Sequence, residues 1–441
     1  MFKEIKWEEF KKIFFQSLQY FSSLIIVRVI TALNGIFLAR ILLSEKFGIY
    51  SLINQLILLL SFFASFGLPT IITKFIAQAK NDKELLNKIY STAQILIVFF
   101  SLIIIIIYFS LSNFLAEKIY KKPILTEYFQ LANLLLLFLT LNNFFIGVLQ
   151  GLKEIKSISL INICYNLLSF PLILILAKRY EIKGALLALI LANFLGVLLF
   201  FIKIKNFFLL KPNFDIRRAK EIISLGFPTF LSGLVMVPAF WLVNTKLAVA
   251  KSFSEVAYFN ITNTFFQFLL FIPIAIGMPL TPTIAEEIHN FEKIKILLNK
   301  IIQYANFFLL IILIPIFIFS SKIIILIFGK DYLPAIKPFL FVVGAIIPAN
   351  IGYIFGYYLV GTGKMWLATL FNTIWFILFV GSAIFYTYNF GAIGASISFY
   401  VAYLFQCFFM IFYLKTLLNN IFLVILNLIS ISLLIIIFNL L

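Results

Sequence analysis

Residues 91–116 read STAQILIVFFSLIIIIIYFSLSNFLA, a run without a single charge. About 20 consecutive apolar residues cross the hydrocarbon core of a bilayer as an α-helix, and this run exceeds that length. Outward in both directions the chain repeats the pattern. Thirteen spans are expected, at 14–39, 47–72, 91–116, 129–152, 158–177, 185–202, 223–249, 257–280, 301–319, 339–360, 367–387, 392–414 and 421–441. Hydrophobic residues make up 63% of the 441 positions and charged residues 12%, which no soluble domain of this size could bury. Short polar stretches separate the spans, so no soluble domain is expected. Residues 1–12 are mixed in charge and lead into a long helix, so no cleavable signal peptide is expected.

The net charge of +18 is carried by loops. Interfacial lysine anchoring and the positive-inside bias account for it, and no nucleic-acid partner is expected. With the amino terminus in the cytoplasm, cytoplasmic loops carry 21 basic residues and the outer side 13, counting Lys246 near its span end. The loop 203–220, with six, is the strongest single indicator. The expected location is therefore the cell membrane, multi-pass, amino terminus inside.

The chain also repeats internally. Pro69-Thr70-Ile71 recurs as Pro282-Thr283-Ile284, and Leu85-Leu86-Asn87-Lys88 as Leu297-Leu298-Asn299-Lys300. Tyr50 pairs with Tyr258, Asn162 with Asn372, and Gly184-Ala185 with Gly394-Ala395. The offset stays near 210 residues, an interval filled by six spans. Six is even, so the halves start on the same side. The expected fold is all-α integral membrane, two parallel six-helix bundles around a central cavity with an extra carboxy-terminal span. Its expected divisions are residues 1–205, a cytoplasmic linker 206–222, residues 223–415, and a further span at 416–441. In secondary transporters a parallel repeat places the substrate route between the halves.

No enzymatic constellation appears. His289 is the only histidine and lies on a charged loop; Cys164 and Cys407 sit within spans and read as packing residues. A metal site is not expected. Gly361-Thr362-Gly363-Lys364 is a short turn between spans, not a phosphate loop. The 17 carboxylates all fall in loops or near span ends, which argues against an antiporter built on a buried acid. Basic residues differ. Arg28 lies midway along the first span, in a chain with only five arginines. A cation there costs at least about 2.5 kcal/mol on insertion scales, so it is expected to face a cavity. Its planar fork suits an anionic, phosphate-bearing ligand. Lys74 and Lys246 are candidates to join it. Amides are abundant within the spans, among them Asn34, Asn143, Asn244, Asn263 and Gln267. Some must bond helix to helix. With Tyr258, the four candidates Asn34, Asn244, Asn263 and Gln267 could bind sugar hydroxyls.

These features resemble a known family. Leu38-Ala39-Arg40 followed by Phe47-Gly48-Ile49-Tyr50 resembles the first loop of the polysaccharide-biosynthesis flippases. Phe66-Gly67-Leu68-Pro69 with Lys74 looks like the end of that family's second span, where Arg is frequent. Gln150-Gly151, Gly184-Ala185, Ser224-Leu225-Gly226-Phe227-Pro228, Val256-Ala257-Tyr258-Phe259 and Ile327-Phe328-Gly329 with Tyr332 are similar to its later markers. Ala257 stands where the family has Gly. The resemblance extends over about residues 14–414 and implies the multidrug/oligosaccharidyl-lipid/polysaccharide exporter superfamily. It implies a flippase for a polyprenyl-pyrophosphate-linked oligosaccharide such as an O-antigen repeat unit, with no cofactor and no covalent chemistry. A multidrug-extrusion cation antiporter and a lipid II flippase are the alternatives. Partners expected on this basis are the lipid-linked oligosaccharide, membrane lipids and a polysaccharide polymerase or glycosyltransferases. The chain is expected to act as a monomer.

Overall fold

The computed structural model describes residues 7–79, 82–208, 213–234, 237–287 and 289–418, with 428, 429, 431, 432 and 435. Among these all regular structure is helical. Eight helices are long and apolar enough to cross a membrane. Three of them each contain two expected spans joined by a sharp elbow, at Leu43, Glu181 and Gly391. The expected thirteenth span, 421–441, falls almost wholly outside the described residues.

Helix α1 runs Trp7–Ser65, α2 Leu68–Ala79, α3 Lys83–Phe114, α4 Leu125–Gly151, α5 Ile155–Ile204 and α6 Ile216–Gly233. They form the first compact unit, except for residues 43–52 of α1. Capping fixes where two of them start. Asp82 accepts hydrogen bonds from the Glu84 and Leu85 amides at the head of α3. Asp215 does the same for α6 with the amides of Arg217 and Arg218. Those bonds, the Arg218 amide first, hold its carboxyl below the usual carboxylate range. The linker before α6 is tied to α3, because Ser91 and Thr92 accept from the amides of Asn213 and Asp215.

The interior of this unit is built on Ile72 and Ile76 of α2 and on Phe144 and Leu149 of α4. On α1, Ser23, Ile30, Asn34 and Leu38 are buried. Ser23 and Asn34 donate to Ser159 and Ser169 of α5, at 3.1 and 2.7 Å.

The second unit comprises residues 43–52 and everything from Pro238. Its helices are α7 Val237–Ala250, α8 Phe253–Leu269, α9 Phe271–Glu286, α10 Phe291–Ile318, α11 Ser320–Phe328, α12 Ile336–Gly344, α13 Ile346–Gly361 and α14 Met365–Tyr413. Phe240, Phe259, Trp375, Phe379 and Phe399 form an aromatic core. Cys407 is buried there, as expected of a packing residue, whereas Cys164 is exposed on α5 and packs into no protein interior.

Packing divides the chain differently from the sequence repeat. By packing, the first compact unit runs to Val237. The reason is α6, whose Phe230 stacks on Phe62 and Phe66 of the first unit, at 5.3 and 4.9 Å between ring centroids. Residues 43–52 go the other way: Ser44 donates its amide to Asp331 and Phe47 packs edge-on against Tyr332.

The repeat itself recurs in the backbone. Glu181 (φ 51°, ψ −126°) and Gly391 (φ 57°, ψ −133°) share one unusual conformation at an offset of 210. So do the cap residues Glu154 (φ −85°, ψ 48°) and Lys364 (φ −84°, ψ 47°). One sequence match is corrected. A Cβ on Gly151 would meet Thr73 O and Ile76, and one on Gly361 would meet Thr281 O and Ile284. Thr73 therefore corresponds to Thr281 and Ile76 to Ile284, an offset of 208. The Pro-Thr-Ile match at offset 213 slips the helix register and is coincidental.

Candidate functional site

Buried positions 23, 30, 34 and 38 mark one stripe of α1, the stripe that packs on α5. At about 100° per residue, Arg28 falls on the opposite side of the helix. It is exposed, as is Thr31. Gly35 continues this face, and a Cβ there would meet nothing within 4 Å. Arg28 thus stands at an exposed position in mid-span. A lipid-facing position would be costly for Arg28.

A cavity of about 520 Å³ lies elsewhere in the first unit, within the ~300–1,000 Å³ common for small-molecule sites. Three helices build it. From α1 come Leu58, Ser61, Phe62 and Ser65; from α2 and its head, Pro69, Thr70 and Thr73. From α4 come Leu139, Asn143, Ile146, Gly147 and Gln150. Helical spacing explains each set: 61 and 65, 70 and 73, and 143, 147 and 150 each fall on one face. Gly147 lets α4 approach the head of α2, because a Cβ there would collide with the Pro69 carbonyl oxygen. Thr73 seals the junction by donating to the carbonyls of Pro69 and Gly147, at 2.9 and 2.8 Å. Lys74 is exposed and lies one helical turn beyond Thr70, next to this cavity.

The remaining candidates divide between packing and exposure. Asn34 is buried and donates to Ser169, so it joins helices. Asn244 is wholly buried and accepts from Asn260 at 3.1 Å, again within the protein body. Lys246 is half-buried on α7. On α8, Asn263 is half-buried and Gln267, one turn on, is exposed. Tyr258 is half-buried with its ring edge-on to Tyr332. Arg28, Asn34 and Lys74 therefore belong to the first unit, and Lys246, Asn244, Tyr258, Asn263 and Gln267 to the second.

Sequence reading did not single out Ser61, Ser65, Thr70, Thr73 or Gln150 as ligands. Their signal was present as hydroxyl and amide residues at helical spacing. It was masked by the abundance of such residues and by the mistaken offset for Thr70.

A family model described as polysaccharide biosynthesis protein matches residues 10–288. Comparison with curated proteins finds no match. Among solved structures, the chain is similar to an inward-facing multidrug resistance MATE family transporter of the MOP superfamily. That likeness has a TM-score of 0.76 and 17% identity, covering 89% of this chain and 95% of the other. It is similar to the lipid II flippase MurJ in an inward closed conformation (TM-score 0.70, 14% identity, 96% and 98% covered). A MOP superfamily transporter from Pyrococcus furiosus, described with a binding pocket of reversed polarity, also matches (TM-score 0.63, 16% identity, 95% of each chain). At these identities the likeness is one of fold, that of all-helical membrane transporters.

Proposed function

We propose that this chain, which belongs to the polysaccharide biosynthesis protein family, is a flippase that carries a polyprenyl-pyrophosphate-linked oligosaccharide across the cytoplasmic membrane. The observation that carries this reading is the sign of the charge in the spans. Arg28 stands in mid-span at an exposed position, while the carboxylates of the chain lie in loops or at span ends.

An intramembrane cation on an accessible face suits a cargo that brings its own negative charge. The guanidinium can grip a phosphate in bidentate fashion, and each charge-assisted bond is worth about 1.5–3 kcal/mol. In the first unit Lys74 supplies a second cation, at the end of its span, where a long side chain can reach the headgroup region. The second unit, taken by itself, offers Lys246 as a cation and Asn263, Gln267 and Tyr258 as hydrogen-bond partners for sugar hydroxyls. The polyprenyl tail stays in lipid. Nothing in this scheme breaks a covalent bond, so the work is transport. Glycosyltransferases would supply the cargo and a polymerase would consume it.

The test is flipping of a fluorescent polyprenyl-pyrophosphate sugar in proteoliposomes, with wild type, Arg28→Lys and Arg28→Ala at equal folded protein. Arg28→Ala is expected to lose at least about 10- to 100-fold in rate, the loss of one charged hydrogen bond or more. Arg28→Lys should retain part of the rate. Flipping that survives Arg28→Ala would remove this residue from the site. Absence of flipping by wild type, with export of a cationic dye from the same vesicles, would replace the flippase by an antiporter.

A further inference from the structure

We propose that the cavity of the first unit is a subsite for uncharged sugar residues of the cargo; this rests on the flippase reading and names what that cavity takes. Three observations carry it.

The first is the balance of donors and acceptors. The Ser65 hydroxyl donates to Ser61 O at 2.7 Å, and that of Thr73 to Pro69 O and Gly147 O. Their protons are committed, so what they can offer a ligand is oxygen lone pairs. Asn143 lies exposed in the lining and Gln150 half-buried, and carboxamides present both donors and acceptors. A ligand meeting this wall must donate and accept over a small volume, as a polyhydroxylated ring does.

The second is neutrality. Among the described residues, no ionisable side chain lines the cavity. An anion placed there would lose water without gaining a counter-charge, and so would a cation. A purely apolar ligand would strip water from the amides and leave them unpaired. The apolar part of the lining matches the C–H face of a sugar, and Phe62 is held in place by stacking on Phe230. Lys74 lies just outside, one turn from Thr70. An anionic linkage can therefore sit at the rim while the sugar beside it enters.

The third is that the fold does not require such a cavity. At the 210 offset verified by the matching backbone conformations, Asn143, Gly147 and Gln150 correspond to Tyr353, Tyr357 and Val360 of the second unit. The same helix there carries bulk in place of small and amide residues. The polar cavity is a property of the first unit's side chains.

Saturation-transfer NMR on the full-length protein in nanodiscs tests this, using lipid-free, uncharged disaccharides (maltose and N,N′-diacetylchitobiose). Wild type is expected to bind at least one of them. Asn143→Leu/Gln150→Leu should weaken that binding at least tenfold, and sodium pyrophosphate should not displace the sugar. Thr70→Val, at an exposed position that leaves the fold intact, provides a second variant and should weaken binding in the same direction. The proposal is overturned by binding that ignores all three substitutions, by no saturation transfer to either sugar, or by displacement with tetraphenylphosphonium, which would make the cavity a cation site. The two readings separate in the flipping assay. Sugar binding without flipping leaves this subsite and removes the flippase; flipping without sugar binding does the reverse.

Discussion

Replacing Gly147 by alanine sets two forces against each other at a position that shapes the cavity. Helix propensity alone favours alanine over glycine by about 0.8–1 kcal/mol. Gly35 on α1 is the matched control, because a Cβ there would meet nothing within 4 Å. Gly35→Ala should therefore keep most of that gain. At Gly147 the added Cβ would collide with the Pro69 carbonyl oxygen and stand 3.0 Å from its carbonyl carbon. That obstacle is backbone, in a proline, and cannot rotate aside. Overpacking of this kind costs about 1–3 kcal/mol. The displaced α2 would also strain the Thr73 hydroxyl's bonds to Pro69 and Gly147. Gly147→Ala should accordingly be less stable than Gly35→Ala by about 1–3 kcal/mol. Thermal unfolding of the two purified variants in one detergent, followed by tryptophan fluorescence, measures the difference. Equal shifts for both glycines would refute the close approach of α4 to the head of α2, and with it the shape of the cavity.

Glu181 occupies a backbone conformation that its counterpart Gly391 adopts as glycine, so Glu181→Gly should stabilise the protein by about 1 kcal/mol, read in the same unfolding assay. Asn34→Leu should cost about 0.6–1.7 kcal/mol, the range for interhelical hydrogen bonds in membranes, with flipping reduced no more than stability accounts for. Asp215 has a depressed carboxyl, so its stabilising contribution is present above the ordinary carboxylate range and is lost as pH falls through its folded value. Amide exchange at Arg217 and Arg218 should therefore quicken in acid in the wild type, and Asp215→Asn, which caps without charge, should flatten that dependence.

The membrane-crossing helical character and the parallel repeat were legible because hydropathy is local: each apolar run of sufficient length must become a helix in lipid whatever its neighbours do. The chain's membership of the polysaccharide biosynthesis protein family was legible too, from loop motifs in order, and so was the oddity of Arg28, since one charge in mid-span is visible without coordinates. The elbow at Glu181 was not, because glutamate carries no sign of a left-handed backbone; only its counterpart Gly391 does. The pairing of Asn34 with Ser169 and of Asn244 with Asn260, 135 and 16 residues away, was not legible either. The division at Val237 and the transfer of residues 43–52 depended on which aromatic rings meet, Phe230 with Phe62 and Phe47 with Tyr332. The cavity likewise draws on α1, α2 and α4, whose lining residues lie up to about 90 positions apart and converge only through the contact at Gly147. Sequence alone thus determined what enters the membrane and how often the pattern recurs, and tertiary structure decided which polar groups pair with one another and which face an open space. Burial in lipid depends on each segment's own composition, whereas the pairing of amides and hydroxyls depends on which helices touch.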